Sequence, residues 1–320
     1  MKIIFELSGE HPELPLIEAE SVADIEYSGK QYAVGKCARP EDTLCLAMTH
    51  TVLEYLGECP ADATSLEYMI KNLRIHTFSP FAARVKKIDG TPIEISQISL
   101  EKMIGTHIEG PVSLKNPVAE YRAICSKDRC VFGRVLFRID RSSFGFRNPM
   151  RRHFFHPGVM MPLLARALVN ISRAGNNEIL LDPFCGTGGV LLEAEMLGVI
   201  AIGSDFDGNM IAGAKNNLVN PNLQIADATK LPFRNESIDA VVTDLPYGQS
   251  VRIRAESFDI LYREALEEFG RVLKTGKLAV VVTHRDIRPI ITKPLRVIAF
   301  IEQRVHKSLT RRIHIIVKEN

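Results

Sequence analysis

Two short stretches of this 320-residue chain combine residue types that could do chemistry. The first, Glu178-Ile-Leu-Leu-Asp-Pro-Phe-Cys-Gly-Thr-Gly-Gly189, reads as a buried strand, a carboxylate and a glycine-rich turn opening a helix over 190–197. Glycine lets a backbone come close to a ligand, and a helix start supplies free N–H groups, so the stretch predicts a nucleotide cradle. A phosphate-binding loop would need Gly-Lys-Ser/Thr after the glycines, and Gly188-Gly189-Val190 has none. A dinucleotide fingerprint begins at Gly186-Thr187-Gly188 but meets Leu191 where glycine or alanine is wanted. The third candidate is S-adenosylmethionine, whose ammonium and sulfonium favour a carboxylate such as Asp182 where a diphosphate would not. Further acids follow at predicted strand ends. Asp205 is placed for two ribose hydroxyls, Asp227 for an adenine amine, and Asp207 for the N-cap of the next helix. The expected pocket comprises Asp182, Pro183, Phe184, Gly186, Gly188, Asp205, Phe206, Asp227 and Ala228.

The second stretch is Thr243-Asp-Leu-Pro-Tyr-Gly248. It resembles the Asp/Asn-Pro-Pro-Tyr/Phe motif of methyltransferases that act on exocyclic amines of bases. Such an amine is a poor nucleophile because its lone pair is delocalised into the ring. Asp244 and the Leu245 carbonyl, both acceptors, would orient it at a sulfonium methyl, with Pro246 shaping the turn and Tyr247 stacking on the extruded base. Proton loss would follow methyl transfer, and neither a metal nor a covalent intermediate is required. Leu245 replaces the usual first proline, which puts the rigidity of the loop in question. Cys185 lies in the cofactor loop and reads as structural, not as a pyrimidine-methylating nucleophile.

The elements that must position these groups follow from 159 onward as alternating helices and strands, closed by two strands at 296–304 and 313–318 with no helix between them. That layout predicts a class I, Rossmann-like methyltransferase domain over 159–320, with a mostly parallel seven-stranded sheet. Upstream, strands are expected at 2–7, 24–27, 32–37, 78–90, 119–125 and 130–139. Helices are expected at 14–22, 43–56, 64–73 (capped by Thr64 or Ser65) and 100–108. The segments Phe81-Ala-Ala-Arg-Val-Lys-Lys, Ile104-Gly105, Val112-Ser-Leu-Lys-Asn-Pro117 and Phe132-Gly-Arg134 resemble the THUMP domain, a small α/β module of RNA-modifying enzymes. The resemblance implies an α/β RNA-binding region over 1–140, with its THUMP core at about 40–140, and candidate phosphate contacts at Arg84, Lys86, Lys87, Lys115 and Arg122.

Charge is unevenly spread. Residues 1–110 carry 10 Lys+Arg against 17 Asp+Glu, residues 111–174 carry 12 against 3, and the remainder is balanced at 18 each. The basic middle includes a linker expected at 141–158, where Arg141, Arg147, Arg151 and Arg152 alternate with phenylalanines. That pattern suits looped RNA or simply packs the linker down. Six cysteines without a C-x-x-C pair read as free thiols, with no metal site. No long apolar run and no signal-like start predict a cytoplasmic protein without a membrane partner, and no obligate protein partner is implied.

Together these segments, with Phe155-His-Pro-Gly-Val-Met160, resemble the archaeal tRNA guanine-10 N2-methyltransferase family over nearly the whole chain. The resemblance implies S-adenosylmethionine as cofactor, tRNA as partner, and His156 and Pro157 beside the methionine end of the pocket. Other guanine-N2 enzymes acting elsewhere on tRNA or on ribosomal RNA, a DNA adenine-N6 enzyme and an inactive RNA-binding protein remain rivals.

Overall fold

The computed structural model describes residues 1–247, 255–306 and 309–320, in two compact units, Met1–Asp140 and Arg141–Asn320. In the first unit the strands are β1 (Lys2–Leu7), β2 (Asp24–Gly29), β3 (Tyr32–Lys36), β4 (Thr49–Pro60), β5 (Ile75–His76), β6 (Phe81–Lys87), β7 (Ile108–Glu109), β8 (Ala119–Cys125) and β9 (Arg129–Arg138). The helices are α1 (Leu14–Ala19), α2 (Ala63–Leu73) and α3 (Gln97–Thr106). Seven strands form one sheet in the order β2-β3-β1-β4-β9-β8-β6, and β5 pairs with β7 apart from it. Helices α2 and α3 close one face through Leu66, Ile70, Leu100 and Ile104, which pack on Phe81, Tyr121 and Phe132.

Two sequence expectations are corrected here. The helix expected at 43–56 is instead a 3-10 turn (Pro40–Cys45) followed by the twelve-residue strand β4. β4 is central and buried on both faces: Val52 packs with Phe5 and Leu46, and Leu53 with Ile4 and Val131. A strand covered on both sides loses its alternation, and its apolar spacing then mimics a helix. The cap of α2 is Asp62, whose carboxylate accepts from Ser65 N at 2.7 Å.

Arg122 is also not a free phosphate ligand. It is clamped between the buried carboxylates of Glu6, which it reaches from β8, and Glu120, with Nε 3.0 Å from Glu120 Oε1. Of the other candidate cations, Arg84, Lys86 and Lys87 lie on β6, the sheet edge. Arg84 donates to Leu114 O at 2.9 Å and Lys87 to Ile95 O at 3.1 Å, while Lys86 and Lys115 are exposed.

The second unit contains α4 (Ser143–Phe146), α5 (Pro162–Ile171), β10 (Ile179–Asp182), α6 (Gly189–Glu195), β11 (Ile200–Asp205), α7 (Gly208–Lys215) and β12 (Leu223–Ile225). It continues with β13 (Ile238–Asp244), α8 (Ala255–Val272), β14 (Leu273–Thr283), β15 (Leu295–His306) and β16 (Leu309–Lys318). The sheet order is β12-β11-β10-β13-β14-β16-β15, parallel through β14, with β16 antiparallel to both of its neighbours. This is the mostly parallel seven-stranded sheet that the helix–strand alternation predicts. Under α8, Tyr262, Ala265 and Phe269 pack on Leu181, Val241, Ala279 and Ile316.

The stretch expected as a linker folds with this second unit. Arg147 donates to the fully buried Glu193 at 2.7 Å, and Arg166 meets the same carboxylate at 2.9 Å. Arg152 donates to Arg147 O at 3.2 Å, its guanidinium enclosed beside Gly189. Both arginines are therefore internal, while Arg151 is exposed and Arg141 partly so. Phe154 covers Gly213, where a Cβ would stand 2.2 Å from its ring. Among the described residues no helix is long and apolar enough to cross a membrane.

Removing one partner from a buried ion cluster leaves the other charges uncompensated. Arg122→Met should therefore lower the stability of the first unit by about 3 kcal/mol in urea unfolding, whereas Lys86→Ala should change it by less than about 0.5 kcal/mol.

Candidate active site

Parallel strands end together, so the acids that close β10, β11 and β13 gather at one edge of the sheet. Asp182 is almost fully buried. Its Oδ1 accepts from Thr243 Oγ1 at 2.7 Å and from Phe184 N at 3.2 Å, which ties the tip of β10 to β13. Burial pushes its carboxyl up to about 7, against these two hydrogen bonds and with Asp205 and Asp244 adding repulsion.

The glycine turn is held by Asp205, whose two oxygens accept from Gly186 N and Asp207 N, each at 2.9 Å. Gly186 and Gly188 adopt φ of 48° and 80°, conformations that L side chains rarely take. A Cβ at Gly186 would meet nothing within 4 Å, so the turn opens onto free space there. Pro183 and Phe184 begin the turn, Asp207 caps α7 as expected, and Phe206 is exposed beside it. Beyond β12, Asp227 closes its own turn through Thr229 N at 2.9 Å, with Ala228 buried next to it.

Asn217 staples the upstream segment to this loop, donating to Phe154 O at 2.9 Å and Thr187 O at 3.0 Å. His156 and Pro157 lead from there toward α5, and Met160 O stands 3.9 Å from where a Cβ on Gly189 would be. Burial raises the Cys185 thiol far above its ordinary range, which favours the neutral form and fits a structural place in the loop.

At the tip of β13, burial pushes Asp244 up to about 6, offset in part by a hydrogen bond from the Tyr247 hydroxyl and by the charge of Arg311. Leu245 resolves the question raised by the missing proline. Its N–H donates to Val282 O at 2.9 Å, a bond proline cannot make, and its side chain is buried in the core under α8. Pro246 O accepts from Tyr262 Oη at 2.5 Å, so the turn is held from the strand below and from α8 beside it. Gly248, read with this motif, lies outside the described residues.

Three neighbours of the motif escaped the sequence reading: Tyr262, His284 and Arg311. The His284 ring lies 5.4 Å from that of Tyr247, and burial followed by the charges of Arg285 and Arg312 depresses its basicity. Tyr262 lies on the apolar face of α8, where its helical spacing reads as core.

An amine seated at Asp244 would face a half-buried acceptor one strand away from a cradle suited to a cationic ligand. Residues 149–313 match the family model described as RMKL-like, methyltransferase domain. The chain is 32% identical to the tRNA (guanine(10)-N2)-dimethyltransferase of Methanothermobacter thermautotrophicus, over 99% of both chains. It is 30% identical to the enzyme of the same name from Methanocaldococcus jannaschii, over 98% of both. The crystal structure of TrmN from Thermus thermophilus covers 99% of this chain and all of its own, at TM-score 0.55 and 19% identity, a likeness of fold.

A carboxyl whose folded pKa is raised contributes stability below its unfolded value and loses it as pH rises through the folded one. For Asp182 that window runs from its ordinary value of 3.8 to about 7. Asp182→Asn keeps an oxygen for Thr243 and Phe184, so above pH ~7 the ligand-free variant should melt higher than wild type, by up to a few kcal/mol in stability. The difference should fade below pH ~4, and melting curves at pH 4, 6 and 8 check it.

Proposed function

The chain belongs to the family of archaeal tRNA (guanine(10)-N2)-dimethyltransferases, and we propose that it transfers one or two methyl groups from S-adenosylmethionine to the N2 amine of guanosine 10 in tRNA. Asp244 carries this reading: a half-buried carboxylate at the head of the Leu245-Pro246-Tyr247 turn, one strand from Asp182.

The residues present fit the cofactor. Gly186 leaves open space, Asp182 offers a buried carboxylate to a cationic centre, and Asp205 stands at the strand end where ribose hydroxyls would be met. The buried hydroxyls of Thr187 and Ser204 lack hydrogen-bond partners among the described residues. Asp227 and Ala228 would face the adenine, the exposed Phe206 ring would offer it a surface, and His156 and Pro157 would flank the methionine end. When bound, the cofactor supplies an electrophilic methyl group.

The chain supplies the rest. Asp244 accepts from the amine and turns its lone pair toward the methyl, with the Leu245 carbonyl as second acceptor. The bond from Leu245 N to Val282 and that from Tyr262 to Pro246 fix the turn while this happens. Once methylated the amine is acidic, and Asp244, made more basic by burial, takes its proton. Tyr247 donates to Asp244 in the free protein and gives its ring to the extruded base.

The first unit, with its THUMP-like segments, holds the tRNA through the cations along the β6 edge. Arg84, Lys86, Lys87 and Lys115 are the candidates there, and Arg151 and Arg141 add to them in the second unit. Arg122, Arg147 and Arg152 are left out of this set, because their guanidiniums are taken up by internal partners or enclosed.

Labelled cofactor and unmodified tRNA should yield N2-methylguanosine or N2,N2-dimethylguanosine on nucleoside mass spectrometry. Only N6-methyladenosine, or no product with any RNA, would sink the reading. Asp244→Ala should cut kcat by roughly 100- to 1,000-fold with cofactor affinity nearly unchanged; parallel loss of both would reject its role. Replacing Lys86 and Lys115 by alanine should weaken tRNA binding and flatten its salt dependence by roughly 0.7–0.9 in log–log slope per lost phosphate contact.

A further inference from the structure

Arg311 stands beside the Asp244–Tyr247 turn, although nothing in the motif announces it. The sheet register carries it there. Asp244 lies opposite Val282 on β14, Val282 lies opposite Ile313 on β16, and Arg311 is two residues beyond on the face of Ile313. The residue is only 9% exposed. Its charge acts on the Asp244 carboxylate and on the Tyr247 hydroxyl, yet its Nε has no hydrogen-bond partner among the described residues. Across the hairpin its register partner Gln303 presents a buried Oε1 that is likewise without a partner. Arg122 and Arg147 differ, since each is met by carboxylates at hydrogen-bond distance. Burying an unmet donor is costly, and an acceptor arriving with a ligand offsets that cost.

We propose, on the premise of the guanine-N2 reading above, that Arg311 identifies the target base as guanine by donating to its O6 while Asp244 accepts from its N2 amine. Along its pairing edge guanine presents the N2 amine, the N1–H and then the O6 carbonyl: two donors followed by an acceptor. A carboxylate beside a guanidinium is the complement of that order. Adenine places an amine where O6 would be and carries none at C2, so it meets a donor with a donor and leaves Asp244 without its partner. A planar five-donor fork can serve the Tyr247 oxygen and a base oxygen together, which a lysine ammonium does less well.

2-Aminopurine separates recognition from chemistry, because it keeps the reacting amine at C2 and lacks both O6 and the N1–H; the part of its loss that disappears when Arg311 is replaced is the part owed to O6. The test uses the full chain and two tRNA transcripts that differ only in guanosine or 2-aminopurine riboside at nucleotide 10. kcat/KM is measured for wild type, Arg311→Met and Arg311→Lys, and calorimetry with S-adenosylhomocysteine checks that each variant keeps its cofactor pocket. Wild type should prefer guanosine by roughly 10- to 100-fold, the loss expected for a hydrogen bond from a charged donor. Arg311→Met should lower kcat/KM on guanosine by a similar factor and bring the ratio of the two substrates close to one. Arg311→Lys should fall between, and it supplies the comparison if the methionine variant fails to fold. If both substrates fall in parallel with their ratio preserved, Arg311 only supports Asp244 and the proposal is overturned. A wild type that shows no preference overturns it too. Failure of wild type to methylate the guanosine transcript at all would remove the guanine-N2 reading itself, an outcome visible before any variant is compared.

Discussion

Two carboxylates on neighbouring strand tips, one buried and one half-buried, set the terms for the rest of the second unit. Asp182 and Asp244 end β10 and β13, strands that the parallel order forces side by side, and burial raises both. Left alone, such a pair resists ionisation. Thr243 and the Phe184 amide steady the first acid; the Tyr247 hydroxyl and Arg311 charge steady the second. Each acid is thus kept ready for a charged or donating ligand, at the expense of the ligand-free fold. Active sites concentrate such perturbed groups because the perturbation is what makes them useful.

Much of this was legible in the chain. The alternation of helices and strands after residue 159, the closing hairpin, the Asp182 loop and the Asp207 cap all depend on local pattern, and local pattern survives in a sequence. Thr49–Pro60 was misread because its signal is not local: a central strand covered on both faces has the apolar spacing of a helix until its neighbours β1 and β9 are known. Two of the cations lose their context in a similar way. Arg122 and Arg147 looked like phosphate ligands since sequence displays a charge without its partner, and the partners Glu6 and Glu193 lie 116 and 46 residues away. Arg311 was missed for the converse reason, because only strand register brings it to Asp244.

Leu245 illustrates how a departure from a motif can be structurally reasoned. The first proline of the usual motif stiffens a turn by fixing φ and gives up an N–H. Here the N–H is kept and extends the β13–β14 ladder by one bond, and the leucine side chain anchors the turn in the core below. Stiffness comes from a different source, with the backbone carbonyl still available at the same position.

The topology of the hairpin has a consequence for synthesis. β16 follows β15 in the chain yet lies between β14 and β15 in the sheet. A nascent chain therefore emerges with the glycine-rich loop and Asp244 well before Arg311, and β15 cannot join the sheet until β16 has arrived to pair with β14. Vectorial translation delivers the tips of β10 and β13 first and Arg311 afterwards, so a ribosome-bound intermediate would hold the former without the latter.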